Sequence, residues 1–125
     1  MRRSESAAYR GLTLRVLGRS GAVIGPGKAE LVERIARTGS ISAAARDMGM
    51  SYRRAWQLVE ALNATFKQRV VTTAVGGTKG GGARVTPFGA RLVARFRAME
   101  RKASAAIADD LRQFGAQLRK KSRRR

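Results

Sequence analysis

The chain has 125 residues, one domain's worth, and carries 27 Lys plus Arg against 8 Asp plus Glu, a net charge of +19. It contains no Cys and no His, which excludes disulfides, thiol chemistry, thiolate metal sites and the commonest general base. Six of the positive charges fall in residues 119–125, leaving +13 on residues 1–118, so the basic field belongs to the folded part and selects polyanions, nucleic acid ahead of an anionic membrane surface.

Residues 1–11 read as a flexible polar lead. Leu12-Thr13-Leu14-Arg15-Val16-Leu17 alternates apolar and polar, with Leu17 breaking the alternation, and predicts a short strand. Four glycines and a proline between Gly18 and Gly27 predict a loop. Lys28 to Arg37 predicts a first helix, with Leu31, Val32 and Ile35 on one stripe and Gly39 as its stop. Ser40 is placed to cap a second helix, Ile41 to Met48, whose Ala43, Ala44 and Ala45 allow close approach of another helix.

Gly49 breaks the chain again, and Ser51 caps a third helix running to about Phe66. Its inward face is Ala55, Val59, Leu62 and Phe66, with Arg53, Gln57 and Glu60 opposite by the rotation of about 100° per residue. Trp56 falls between the two faces and reads as a packing residue rather than a base-stacking one. Val70 to Val75 is β-branched and strand-like, the segment Gly76–Gly82 is rich in glycine, and residues 83–86 read as a return strand, so a hairpin is expected. Thr86 and Pro87 suit the cap and first turn of a last helix. That helix is expected as one long element over about 88–114, because Leu92, Phe96, Met99, Ala103, Ile107, Leu111 and Phe114 advance by fours and threes as a single apolar stripe. Residues 119–125 form a basic tail of like charge.

Helix, glycine break, short Ala-rich helix, glycine break, longer helix, then a hairpin is the order of a helix-turn-helix followed by a wing. The expected fold is α+β, mainly helical: a winged helix-turn-helix over 12–118 with a long C-terminal helix for dimerisation. Arg53, Arg54 and Gln57 are the candidates for reading base edges, since Arg pairs with guanine and Gln with adenine in two-point contacts near the start of such a helix. Ser51, Tyr52, Lys79 and Arg84 are the candidates for phosphate contact. The glycine-rich segment fails as a phosphate-binding nucleotide loop, because no Gly-Lys-Ser/Thr ends it and no helix opens at its lysine; a wing tip carrying Lys79 is the better reading. The eight carboxylates show no paired spacing with a nucleophile, so no catalytic site, metal or cofactor is expected. No apolar run reaches signal-peptide length or the roughly 18 residues of a membrane span, and a cytoplasmic protein without membrane contact is expected.

The run Ser51-Tyr52-Arg53-Arg54-Ala55-Trp56, with Asn63, the segment Gly76–Gly82 and the Thr86-x-Phe88-Gly89 turn, resembles the N-terminal DNA-binding domain of ModE-type regulators over roughly residues 12–114. These are molybdenum-dependent transcriptional regulators, distantly similar to the LysR type in this domain. The resemblance implies sequence-specific binding of double-stranded DNA by a homodimer. Full-length members carry further domains that bind molybdate, and with 125 residues no molybdate site is expected within this chain. Two alternatives stay open: a non-specific architectural, nucleoid-type DNA-binding protein, and an oxyanion-binding accessory protein.

Overall fold

The computed structural model describes residues 11–74 and 82–119. The first hairpin pairs β1 (Val16–Gly18) with β2 (Gly21–Ile24) in antiparallel fashion. The strand expected over Leu12–Leu17 therefore shifts toward its C-terminal end, and the loop expected over residues 18–27 holds β2. The reason is pairing: only Val16, Leu17 and Gly18 find partners, and the register slips between Val16 and Leu17, where the alternation broke in the sequence. Gly21 turns the hairpin at φ +130°, a conformation other residues rarely adopt. Ile24 then anchors the hairpin in the core.

Helix α1 (Pro26–Thr38) starts two residues before the expected Lys28, with proline in its first turn, where no donor is lost. Gly39, left-handed at φ 72°, ends it. Helix α2 (Ile41–Met48) follows at once, the Ser40 hydroxyl accepting the Ala43 N–H at 3.0 Å. Gly49, at φ 70°, closes α2. Helix α3 (Tyr52–Thr65) opens with the Ser51 hydroxyl accepting the Arg54 N–H at 3.0 Å. The three helices bury Leu31, Val32, Ile35, Ile41, Ala44, Ala45, Ala55, Val59 and Leu62 as one aliphatic core. Alanines at 44, 45 and 55 let α2 and α3 approach closely.

The wing pairs β3 (Val71–Ala74) with β4 (Gly82–Val85), Val71 opposite Val85 and Ala74 opposite Gly82. It is tied to the helices at three places. Asn63 of α3 donates from Nδ2 to the Val71 carbonyl at 3.0 Å, and its Oδ1 accepts the N–H groups of Val70 (2.7 Å) and Val71 (3.2 Å). The Ala83 N–H donates to the Gly39 carbonyl at 2.9 Å. Thr86 donates from Oγ1 to the Arg69 carbonyl at 2.7 Å while accepting the Gly89 N–H at 2.9 Å, so one hydroxyl joins the base of the wing to the start of the last helix. Gly89 faces the Val70 carbonyl so closely that a Cβ there would stand 2.4 Å from the oxygen.

The single long helix expected over 88–114 is two. Helix α4 (Pro87–Ala106) ends at Ile107, whose φ −116° and ψ 24° leave the helical range, and α5 (Ala108–Ala116) begins directly after it. The bend is local, since the Leu111 N–H already donates to the Ile107 carbonyl at 2.9 Å. Two features of the sequence favour a new start there: a β-branched residue between alanines, and Asp109 and Asp110 in the next turn, where acidic groups suit a helix N-terminus. The stripe is interrupted as well. Phe96 is 2% exposed, packed with Val93 in the protomer's own core, so it does not belong to an exposed dimerisation face as expected. An Arg97 guanidinium bridges the Glu33 carboxylate of α1 (2.9 and 3.0 Å) and Glu100 (2.8 Å), fixing α4 across α1.

Candidate nucleic-acid interface

Three buried residues on α3 decide what its other side can do. Ala55, Val59 and Leu62 face the core with no exposed surface, and Arg53, Arg54, Gln57 and Glu60 are exposed. Rotation by about 100° per residue puts Arg53 and Gln57 on the side of α3 directly away from the core. Ser51 is occupied as the helix cap, so its hydroxyl already accepts one main-chain donor. Tyr52 begins the helix and is 55% exposed. The first two turns of α3 thus present an Arg, a Gln and a phenol, at a helix start whose first amides point outward.

Arg54 departs from its two partners. It lies at the edge of α3 in a cleft shared with Arg15, Lys28, Gly25 and Gly27, where α1 begins. Arg15, Lys28 and Arg54 line that cleft beside the start of α1, with Lys28 Nζ donating to the Ala22 carbonyl at 3.3 Å. Trp56, expected between the faces as a packing residue, is exposed at 36% and belongs to none of the buried positions of the core. Ala55, Val59 and Leu62 close the core face of α3, and Trp56 stays beside it, partly covered, as its position between the faces predicts.

On the wing, Arg84 is exposed in β4, and Thr72 and Thr73 are exposed in β3. Lys79, the other expected phosphate contact, and the glycine-rich tip around it lie outside the described residues, as do residues 1–10 and 120–125. The five ion pairs among the described residues leave this face alone. Arg34 pairs with Glu30 and Asp47, Arg97 with Glu33 and Glu100, and Arg112 with Asp109, all on α1, α2, α4 and α5. The Arg97 guanidinium holds the Glu33 carboxyl below the usual carboxylate range, with desolvation opposing, and Glu33 in turn raises Arg97.

Of the remaining stripe, Leu92, Ala103, Ile107 and Leu111 are half-buried, while Met99 (38%) and Phe114 (71%) are exposed. Beside α4 runs an open groove of about 860 Å³ lined by Phe66, Phe88, Leu92 and Met99, with Arg91, Arg95 and Lys102 along it. Among the described residues, no group of three or more His, Cys, Asp or Glu could hold a metal ion, and no helix is long and apolar enough to cross a membrane.

Residues 27–90 match the family described as bacterial regulatory helix-turn-helix protein, lysR family. That segment runs from the start of α1 through the wing to the first turn of α4. The chain is 51% identical over 85 residues to the molybdenum-pterin-binding protein MopB of Rhodobacter capsulatus, covering 68% of this chain and 32% of that protein. It is 45% identical over 92 residues to MopA of the same organism, covering 73% and 35%. To the DNA-binding transcriptional dual regulator ModE of Escherichia coli (strain K12) it is 36% identical over 88 residues, covering 68% and 34%. The chain thus spans about a third of the length of the curated relatives it matches.

Proposed function

The chain belongs to the bacterial regulatory helix-turn-helix proteins of the lysR family, and from that premise we propose that it regulates transcription in the cytoplasm by sequence-specific binding of duplex DNA, with α3 in the major groove. The observation that carries this is the capped start of α3, with Arg53 and Gln57 turned away from a closed aliphatic core and a wing bonded to the same helix through Asn63. Arg53 and Gln57 read base edges. Arg54, with Arg15 and Lys28, takes phosphate, as do Tyr52, Ser51 at the helix start, Arg84 and Lys79.

The protein acts as a homodimer. Leu92, Met99, Ala103, Ile107, Leu111 and Phe114 supply the apolar contact, and the groove beside α4, lined by Phe66, Phe88, Leu92 and Met99, offers a second copy a place to dock. Two α3 helices then stand about one turn of DNA apart, roughly 34 Å, and the preferred site is an inverted repeat. Catalysis and molybdate binding by this segment are not part of the reading; molybdate added to the complex leaves affinity unchanged.

Selection of bound sites from random duplexes tests the proposal. An enriched inverted repeat, bound at least about 10³-fold more tightly than random DNA, is the expected result. Arg53→Ala and Gln57→Ala each cost about 1–3 kcal/mol on that site and relax one position per half-site, whereas Arg54→Ala weakens all duplexes alike. Uniform binding of all sequences would favour an architectural protein instead.

A further inference from the structure

We infer that Trp56 forms, on the edge of α3 that faces the wing, a subsite for the 5-methyl group of thymine. The inference rests on α3 as the base-reading helix and adds a chemical class of contact that arginine and glutamine do not make. Trp56 is the chain's one tryptophan. It keeps 36% of its surface exposed on a helix whose core face is already closed by Ala55, Val59 and Leu62, so part of the indole is free to meet a partner.

Its direction follows from its neighbours. Trp56 stands one turn after Tyr52 and seven residues, two turns, before Asn63, so the three share one side of the helix. Asn63 bonds to the main chain of Val70 and Val71, which makes that side the one turned toward β3. Trp56 therefore lies on the side of α3 from which Asn63 reaches the start of β3. Glu60, exposed one turn further along, puts a carboxylate beside it. A carboxylate is repelled by phosphate, so this edge of α3 does not share the phosphate role of the cationic positions. On the floor of the groove the base pairs present donors, acceptors and one apolar group, the thymine C5 methyl. An indole face left in water gains by covering apolar surface, and that methyl is the apolar surface within the groove.

The test uses the full chain and the duplex obtained by selection. Each thymine is replaced in turn by deoxyuridine, which removes one methyl and leaves every hydrogen-bonding group in place. With wild type, at least one position per half-site loses about four-fold in affinity, the equivalent of one buried methyl-sized group. With Trp56→Ala, thymine and uracil duplexes bind alike; with Trp56→Phe, part of the difference returns. Trp56 fluorescence gives a readout without any substitution: its emission shifts to the blue on the thymine duplex and less on the uracil duplex. Three results overturn the inference: a selected half-site without thymine, a uracil series in which no position changes by as much as two-fold, or a Trp56→Ala protein that keeps the methyl preference. Methyl-blind binding that still depends on Arg53 and Gln57 overturns this subsite alone. Binding indifferent to Arg53→Ala and Gln57→Ala overturns the reading helix itself.

Discussion

Replacing Asn63 by alanine removes the side chain that, among the described residues, hydrogen-bonds α3 to the start of the wing. Its amide makes three hydrogen bonds, accepting from Val70 and Val71 and donating to the Val71 carbonyl. Val70 and Val71 are fully buried, so their N–H groups lose a partner where water reaches poorly. Each orphaned buried donor costs about 1–3 kcal/mol. Asn63 itself is only half-buried, which lets some water follow the cavity and places the sum near the lower end, about 2–3 kcal/mol. For a domain of this size, about 4 °C of melting temperature is lost per kcal/mol, so thermal denaturation followed by circular dichroism should show a fall of roughly 10 °C. Asn63→Asp is the informative partner variant. Its carboxylate keeps both acceptances and loses the donation, so at neutral pH it should recover more than half of the loss. DNA affinity, measured well below both midpoints, should fall for Asn63→Ala even where the protein is folded, because the wing is no longer held against α3. A melting temperature within about 2 °C of wild type, or an Asn63→Asp protein no better than alanine, refutes the reasoning.

The Arg97 brace makes stability depend on acid. Because Glu33 titrates below its ordinary value when folded, its contribution is complete above about pH 4.3 and is lost as pH falls through the lower folded value; Glu33→Gln should therefore flatten the acid limb of a stability–pH profile measured by urea unfolding. Removing residues 119–125 deletes six positive charges, and should lower affinity for all duplexes while reducing the slope of log K against log salt by up to about 5; a change in site preference with an unchanged slope contradicts the phosphate role. Sedimentation at micromolar protein and moderate salt should give a species of twice 13.6 kDa, and Phe114→Ser or Met99→Ser should shift it toward monomer, whereas a wild-type monomer removes both the dimer and the palindrome.

The helix-turn-helix was readable because its signals are local. Ser40, Gly39, Gly49 and Ser51 act within one turn of themselves through a cap or a left-handed residue, and the structure uses each of them in that way. Thr86 capped α4 for the same reason. What eluded the sequence depends on partners far away. Val16–Gly18 and Gly21–Ile24 become strands by pairing with each other, and neither has enough alternating residues to announce it. The apolar spacing from Leu92 to Phe114 is real, but periodicity alone cannot tell an inward stripe from an outward one. Phe96 is claimed by the protomer's own core, and beyond Ile107 helix α5 has no fully buried residue. Within the candidate site, Arg53 and Gln57 followed from rotation about one helix. The sideways placement of Arg54 depends on the β2–α1 corner and was not visible from α3 alone.

The distribution of ion pairs has a kinetic consequence. All five pairs among the described residues engage carboxylates of α1, α2, α4 and α5, so arginines on that side are partly neutralised. Arg53, Arg54 and Arg84 have no carboxylate bound to them in that set. The same holds for Arg91, Arg95, Arg101 and Lys102 of α4, so most of the molecule's positive charge stays uncompensated by its own carboxylates. In the field of a polyanion such a body is drawn in from a distance, so encounters are more frequent than for a neutral protein of the same size. Association is then fast at low ionic strength, and added salt slows arrival by screening that attraction, before any contact with a base has been made.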